Sequence, residues 1–236
     1  MKNIVLLIPC YNEQATIGDV IQEFNGAVKK EQGFSIKTYV YDNNCTDATA
    51  KIASDLGATI VKSEIQGKGA VVKHMFKDVV SGNIDKADYY AMVDGDMTYP
   101  AKYIIDMAKA LDSGYDMVIG DRLSANYHKT NNRKFHSFGN TLVKFLVNLL
   151  FKGNVTDIMT GYRVFSYNYI LKLADEIISD GFQIETELTI RTLKHRLKIY
   201  SLPIEYRERP EGSVSKLNTI KDGFRVICMI IKLRIK

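Results

Sequence analysis

The stretch that decides the reading is Tyr89-Tyr90-Ala91-Met92-Val93-Asp94-Gly95-Asp96-Met97-Thr98-Tyr99-Pro100. Its first half is a short apolar run rich in aromatic and branched side chains, the pattern of a buried strand. It ends on Asp94-Gly95-Asp96. Residues two apart on a strand point the same way, so the two carboxylates can converge just past the strand's end, and Gly95 lets a ligand approach the backbone. Paired carboxylates there suit a hard divalent cation that completes its shell with water and phosphate oxygens. A solvated acidic turn is the plainer alternative, because Asp and Gly are common turn formers.

Working outward, strands and helices alternate. Ile4 to Ile8, Thr38 to Tyr41, Thr59 to Val61 and Met117 to Ile119 read as further strands. Helical spacing follows the first (Ile17, Val20, Ile21, Phe24, Val28), and Ala48 to Leu56 is a helix closed by Gly57. Gln66-Gly67-Lys68-Gly69 opens a helix through Val71, Met75 and Val79, and Ile104 to Leu111 is another, closed by Gly114. Such alternation predicts an α/β fold with a mostly parallel sheet and helices on both faces. In these sheets ligands bind beyond the C-terminal ends of the strands, where Pro9–Glu13, Asp42–Asp47 and Asp94–Thr98 fall. By this pattern alone a flavodoxin-like or Rossmann-like binder stays open.

A chain of 236 residues with 46% hydrophobic and 10% aromatic content fits one large α/β domain, or a domain with an appendage. Cys10, Cys45 and Cys228 have neither metal-ligand spacing nor a disulfide framework, which points to a reducing compartment. The apolar N-terminus is too short for a signal peptide, and no run reaches the roughly 18 apolar residues of a membrane span. Of 32 basic and 27 acidic residues, twelve and four lie from Arg191 onward, so the excess positive charge sits in the C-terminal part. That asymmetry predicts an anionic partner. No nucleic-acid module or repeated aromatic–basic pattern is present, so nucleic acid is not expected.

Six motifs taken in order match a known family. They are Ile8-Pro9-Cys10-Tyr11-Asn12-Glu13, Asp42-Asn43-Asn44-Cys45-Thr46-Asp47, Gly67-Lys68-Gly69, Asp94-Gly95-Asp96, Asp157-Ile158-Met159-Thr160-Gly161-Tyr162-Arg163 and Arg209-Pro210-Glu211-Gly212-Ser213-Val214-Ser215-Lys216-Leu217. The first four resemble family 2 glycosyltransferases of the GT-A fold. The last two resemble the polyprenyl-phosphate branch typified by dolichol-phosphate mannosyltransferase. The likeness runs from Ile4 to about Gly223. It implies a catalytic domain over residues 1–218, with a nucleotide-sugar half (1–120) and an acceptor half (121–218), followed by a basic amphipathic helix at 219–236.

The resemblance also implies roles. Pro9, Tyr11, Asn12, Glu13, Asp42, Asn44, Lys68 and Gly95 would serve the nucleotide-sugar donor, a UDP- or GDP-sugar. Asp94 and Asp96 would hold Mg²⁺ or Mn²⁺ against its diphosphate. Arg122, Arg133, Arg163, Arg209, Ser215 and Lys216 would bind a polyprenyl-phosphate acceptor, with Arg163 counted among the catalytic residues beside Asp94 and Asp96. Thr98 stands where relatives often carry Gln. Gly212 and Ser215 are separated by two residues where the pattern usually has one.

The acceptor sets the mechanism. An alcohol needs a general base; a phosphate monoester, with its second pKa near 6, is largely ionised at neutral pH and attacks unaided. An arginine cluster without an obvious base favours the phosphate. Glu185, roughly where hydroxyl-glycosylating relatives place a base, keeps a saccharide or lipid hydroxyl as the alternative. A non-catalytic nucleotide-binding protein is a third reading, which the intact Asp94/Asp96 pair disfavours. The helical stretches Phe138 to Phe151 and Phe224 to Ile235, flanked by Lys and Arg, predict peripheral attachment to the anionic cytoplasmic membrane face, although such helices can equally cover a core.

Overall fold

The computed structural model describes residues 1–124 and 134–235, the side chains of 134–138 excepted. Seven strands form one sheet: β1 (Lys2–Cys10), β2 (Phe34–Asp42), β3 (Thr59–Lys62), β4 (Tyr89–Met92), β5 (Met117–Asp121), β6 (Arg163–Phe165) and β7 (Ile199–Pro203). Their order is β3-β2-β1-β4-β6-β5-β7. All neighbours are parallel except β6, which runs antiparallel to both β4 and β5. The predicted α/β class and mostly parallel sheet therefore hold. The three-residue β6 and the five-residue β7 were not among the strands expected, because neither carries an apolar run long enough to stand out.

Two layers of helix cover the sheet, and the strands' two-residue period sorts their side chains between them. Ile4, Leu6 and Ile8 of β1 pack with α1 (Ile17–Lys29), α2 (Thr49–Asp55) and α4 (Ile104–Asp112). Val5 and Leu7 join the opposite core, formed with α3 (Lys68–Ser81), α5 (Lys134–Phe151), α6 (Tyr167–Leu173), α7 (Ile184–Lys194) and α8 (Thr219–Ile235). A strand buried on both faces reads as a continuous apolar run, which is why β1 and β4 were legible.

The last helix is part of that second core. Val226, Met229, Ile230 and Leu233 of α8 are buried, in contact with α5 and α7. The alternative that such helices cover a core is met on this face. No helix among the described residues is long and apolar enough to cross a membrane.

One close approach ties the two halves of the chain. The start of α3 docks on the segment before α7, with the Ala70 N–H donating to the Asp180 carbonyl at 3.2 Å. A β-carbon at Gly69 would stand 2.4 Å from the Ser179 carbonyl oxygen, so only glycine fits there.

Candidate active site

Central strands β1, β2 and β4 end side by side, and the loop after each holds one residue in the left-handed region: Asn12 (φ 54°), Asn44 (φ 64°) and Met97 (φ 65°). Asn tolerates that conformation; Met does so at a cost. The loops are stitched together. The Asn12 side chain accepts from the Thr46 N–H at 2.8 Å and donates to the Thr46 hydroxyl at 3.2 Å. Asp42 accepts from the Cys45 N–H at 2.7 Å and pairs with Lys62 at 3.0 Å. Burial alone would raise the Asp42 carboxyl's pKa, but these donors outweigh it and the net shift is downward.

Just beyond the end of β4 lie Asp94 and Asp96, each held by a cation. Asp94 Oδ1 lies 2.5 Å from Lys68 Nζ, and that ammonium also lies 2.6 Å from Glu185 Oε1 on the first turn of α7. Burial by itself would depress the pKa of Lys68; Asp94 and Glu185 more than offset it, so the lysine stays protonated. Asp96 Oδ1 accepts from its own turn, from the Thr98 N–H at 3.1 Å and the Thr98 hydroxyl at 2.6 Å. Its other oxygen pairs with Arg209. Asp94 is backed by Gly161, where a β-carbon would sit 2.3 Å from Asp94 Oδ2. At Gly95 the space for a β-carbon is taken by Cys10 Sγ, 2.9 Å away, so this glycine serves packing onto β1 as well as access.

A strap from Arg207 to Asn218 crosses this ledge. Arg209 reaches the Ser213 hydroxyl at 3.2 Å, Ser213 donates to Glu13 Oε2 at 3.1 Å, and Lys216 Nζ bonds Glu13 Oε1 at 2.6 Å and the Asn12 carbonyl at 2.9 Å. Burial raises the pKa of Glu13, and the Lys216 ammonium counteracts this without cancelling it. Strap and ledge bound one cleft of about 1050 Å³.

Of the residues expected at the site, Pro9, Tyr11, Glu13, Lys68, Asp94, Gly95, Asp96, Arg122, Arg209, Ser215 and Lys216 all line this cleft. Asn12, Asp42 and Asn44 stand behind its wall as loop supports; Asn44 donates to the Glu64 carbonyl at 2.9 Å. Arg133 lies outside the described residues. Arg122 reaches the cleft but forms a bidentate pair with Asp157, at 2.7 and 2.9 Å. That pair neutralises much of the charge Arg122 would offer a phosphate.

Arg163 requires a correction. Its side chain is wholly buried and does not line the cleft. The guanidinium donates to the carbonyls of Ile158 (2.7 Å), Glu185 (3.0 Å) and Thr160 (3.1 Å) and to the Thr189 hydroxyl (3.1 Å), and burial lowers its pKa. It buckles β6 to the start of α7, and so positions Glu185 instead of meeting an acceptor.

Other lining residues were not among those expected at the site. Asn43 donates to the carbonyls of Ser63 (2.9 Å) and Ile65 (2.7 Å) and accepts from the Gly67 N–H (2.8 Å), fixing the mouth of α3. The Tyr99 hydroxyl oxygen accepts from the Gly161 N–H at 2.8 Å, fixing the segment behind Asp94. Tyr206, Lys221, Asp222 and Arg225 complete the far rim. The Asn-rich turn and the strap's charges hinted at Asn43 and Arg207; the α8 residues could be found only by folding.

The donor set fits a divalent cation. Among the described residues no cluster of three or more His, Cys, Asp or Glu side chains is placed to hold a metal alone. Asp94 and Asp96 supply two hard oxygen donors at one ledge, and the present partners of both, Lys68 and Arg209, are cations. A divalent ion that shares its shell with water and a diphosphate needs no more from the protein.

Residues 5–173 match the family described as glycosyl transferase family 2. Glycosyltransferase AglJ of Haloferax volcanii is 34% identical over 220 residues, covering 93% of this chain and 68% of that protein. A dolichyl-phosphate hexose transferase of the same organism is 25% identical, covering 98% and 93%. Among solved structures, glucosyl-3-phosphoglycerate synthase from Mycobacterium tuberculosis, in complex with Mn²⁺, UDP and glucosyl-3-phosphoglycerate, superposes with a TM-score of 0.72 at 20% identity, covering 98% of this chain and 80% of that one. The fold is the GT-A fold, and with the ledge of paired carboxylates at the ends of its parallel strands the chain belongs to glycosyl transferase family 2.

Proposed function

We propose that the protein moves one sugar, with inversion, from a UDP- or GDP-sugar to a polyprenyl phosphate at the cytoplasmic face of a membrane. The observation that carries the reading is the cleft's division. One wall is the carboxylate ledge of Asp94 and Asp96; the other is a cationic strap and rim with Arg207, Arg209, Lys216, Lys221 and Arg225. Two carboxylates suit a metal-bound diphosphate, and arginines suit a second phosphate. The dolichyl-phosphate hexose transferase among the relatives supports that acceptor.

In this mechanism Asp94 and Asp96 would hold Mg²⁺ or Mn²⁺, which neutralises charge gathering on the departing diphosphate. Lys68 keeps Asp94 in place and adds positive charge beside it. Arg209 and Lys216, on the strap, draw the acceptor phosphate toward the sugar. A phosphate oxygen of the acceptor attacks the anomeric carbon from the face opposite the nucleotide, a new C–O bond forms as the bond to the diphosphate breaks, and the nucleoside diphosphate leaves with the electron pair. No proton has to be removed from an ionised phosphate.

Glu185 favours a second reading. Its carboxylate lines the cleft, 2.6 Å from Lys68, where it could take the proton of a saccharide or lipid hydroxyl. One experiment decides between them. Purified protein, Mn²⁺ and a panel of sugar nucleotides are given a short-chain polyprenyl phosphate or the matching glycolipid alcohol, and products are read by mass spectrometry and anomeric NMR. Transfer to the phosphate that survives Glu185→Gln is expected. Transfer to the alcohol alone, abolished by Glu185→Gln, would replace the phosphate reading with the second.

A further inference from the structure

Lys68 is gripped at its tip, with its ammonium between Asp94 and Glu185. A long, flexible side chain delivers its charge to one place only when its backbone is fixed as well. The residues on either side of it are glycines, and both are seated on one short segment. A β-carbon at Gly67 would strike the Asp180 carbonyl oxygen, and one at Gly69 the Ser179 carbonyl oxygen. The Ala70 N–H donates to the Asp180 carbonyl at 3.2 Å. The start of α3 therefore takes its position from residues 178–180.

Those three residues belong to no strand or helix. A carboxylate holds them instead. Glu187, wholly buried, accepts from the Ile178 N–H at 3.0 Å, from the Ser179 N–H at 2.8 Å and from the Ser179 hydroxyl. Arg191, one turn further along α7, donates to the same carboxylate at 2.7 Å and has a second partner in Glu176. Burying a carboxylate is costly unless it is paired and hydrogen-bonded, and here the bonds are aimed at the platform under α3. Glu185 and Glu187 are two apart on a helix of 3.6 residues per turn, so they leave its axis on opposite sides. One takes the ammonium of Lys68, and the other holds the segment on which the lysine's backbone rests.

We propose that Glu187, which does not line the cleft, is a positioning residue for sugar transfer: through residues 178–180 and the glycines of α3 it sets the Lys68 ammonium beside Asp94. This rests on the reading of the Asp94 ledge as the donor-diphosphate site and adds the residue that places its cation.

The test is a double-mutant cycle between Glu187→Gln and Lys68→Met. It is read as kcat and donor KM with Mn²⁺ and whichever UDP- or GDP-sugar gives the highest turnover. Glu187→Gln keeps the side chain's size and leaves Arg191 its Glu176 partner. It should lower kcat by on the order of 10²-fold, the usual effect of about 1 Å of misplacement, with donor KM within about twofold of wild type. Lys68→Met should lose at least as much, and the double variant no more than Lys68→Met alone, because both act through one ammonium. Amide hydrogen exchange of the metal-free protein is the second readout: the Ala70 amide should exchange roughly tenfold faster in Glu187→Gln. Where Glu187→Gln fails to accumulate, Ser179→Ala, which removes only the hydroxyl bond, should lower kcat roughly tenfold with the same non-additivity. Losses that multiply in the double variant would overturn the proposal. So would faster exchange confined to Ile178 and Ser179, which would make Glu187 a local brace alone. A fully active Lys68→Met beside faster exchange at Ala70 would leave the positioning standing and remove the reading of Lys68 as a donor-site cation instead.

Discussion

The two walls of the cleft are built by different means. The ledge grows from the ends of three adjacent parallel strands, and backbone geometry sets its position: register sets β1 against β2 and β4, and Gly161 stands hard behind Asp94. The strap opposite belongs to no strand or helix. Past one backbone bond at its start, from the Arg207 N–H to the Thr98 carbonyl at 2.9 Å, it stays in place through side-chain contacts to the ledge, Arg209 to Asp96 and Lys216 to Glu13. A wall made by the sheet keeps its shape when its ligands change, whereas a wall made of ion pairs moves when a competing cation arrives.

Breaking the ledge should have the largest effect. Asp96→Asn keeps the shape of the side chain but removes the charge, and should lower transfer by on the order of 10³-fold and abolish Mn²⁺-dependent donor binding in titration calorimetry. Full turnover of this variant would show that the ledge does not hold the metal.

Gly161→Ala asks whether rigidity itself matters. The added methyl must push the Asp94 carboxylate aside, and a displacement of about 1 Å commonly costs on the order of 10²-fold in rate. Steady-state kinetics should show that loss with a thermal midpoint near wild type. Unchanged kinetics would mean the ledge tolerates movement as the strap does.

On the strap, Arg209→Ala should act in two directions. Removing the guanidinium frees Asp96, so Mn²⁺ should bind tighter in the absence of acceptor. Losing a charged hydrogen bond costs about 1.5–3 kcal/mol, which should raise the acceptor KM by roughly ten- to a hundredfold. If both constants stay at wild-type values, the strap is a passive cover.

The smallest effect is a stability change with pH. Asp42 titrates below an ordinary aspartate in the fold, so its contribution is present above the unfolded-state pKa of about 3.9 and is lost as pH falls through the lower folded value. Asp42→Asn should therefore be less stable by about 1–2 kcal/mol at neutral pH, and the gap should close below pH of about 4 in urea titrations. A gap independent of pH would assign the loss to packing instead of charge.

The same contrast explains what could be read in advance. Strands buried on both faces and loops ending in Asp, Asn and Gly are local signals, and they placed Pro9–Glu13, Asp42–Asp47 and Asp94–Thr98 at one edge of the sheet; the family resemblance added Lys68 to that edge. Arg163 was misplaced because an arginine at the end of a family motif gives no local sign of burial; only the packing of α7 over β6 decides that its guanidinium meets carbonyls. Asn43 and Tyr99 were passed over for the same reason. Helix α8 was read as a cationic amphipathic segment, yet its buried side depends on α5 and α7, far off in the chain. Deleting the residues after Asp222 would strip Val226, Met229, Ile230 and Leu233 from the core, so truncation cannot serve as a clean probe of attachment.

Lys68 carries a consequence for chemical footprinting. Amine reagents attack only a free, deprotonated nitrogen, and this one is sealed between Asp94 and Glu185 with its proton held on. Among the lysines whose side chains are described, it should be the slowest to be acetylated or reductively methylated. Its labelling rate, followed by peptide mass spectrometry, then becomes a clock on the carboxylates around it: any ligand that draws Asp94 away would be timed by how quickly position 68 acquires the tag.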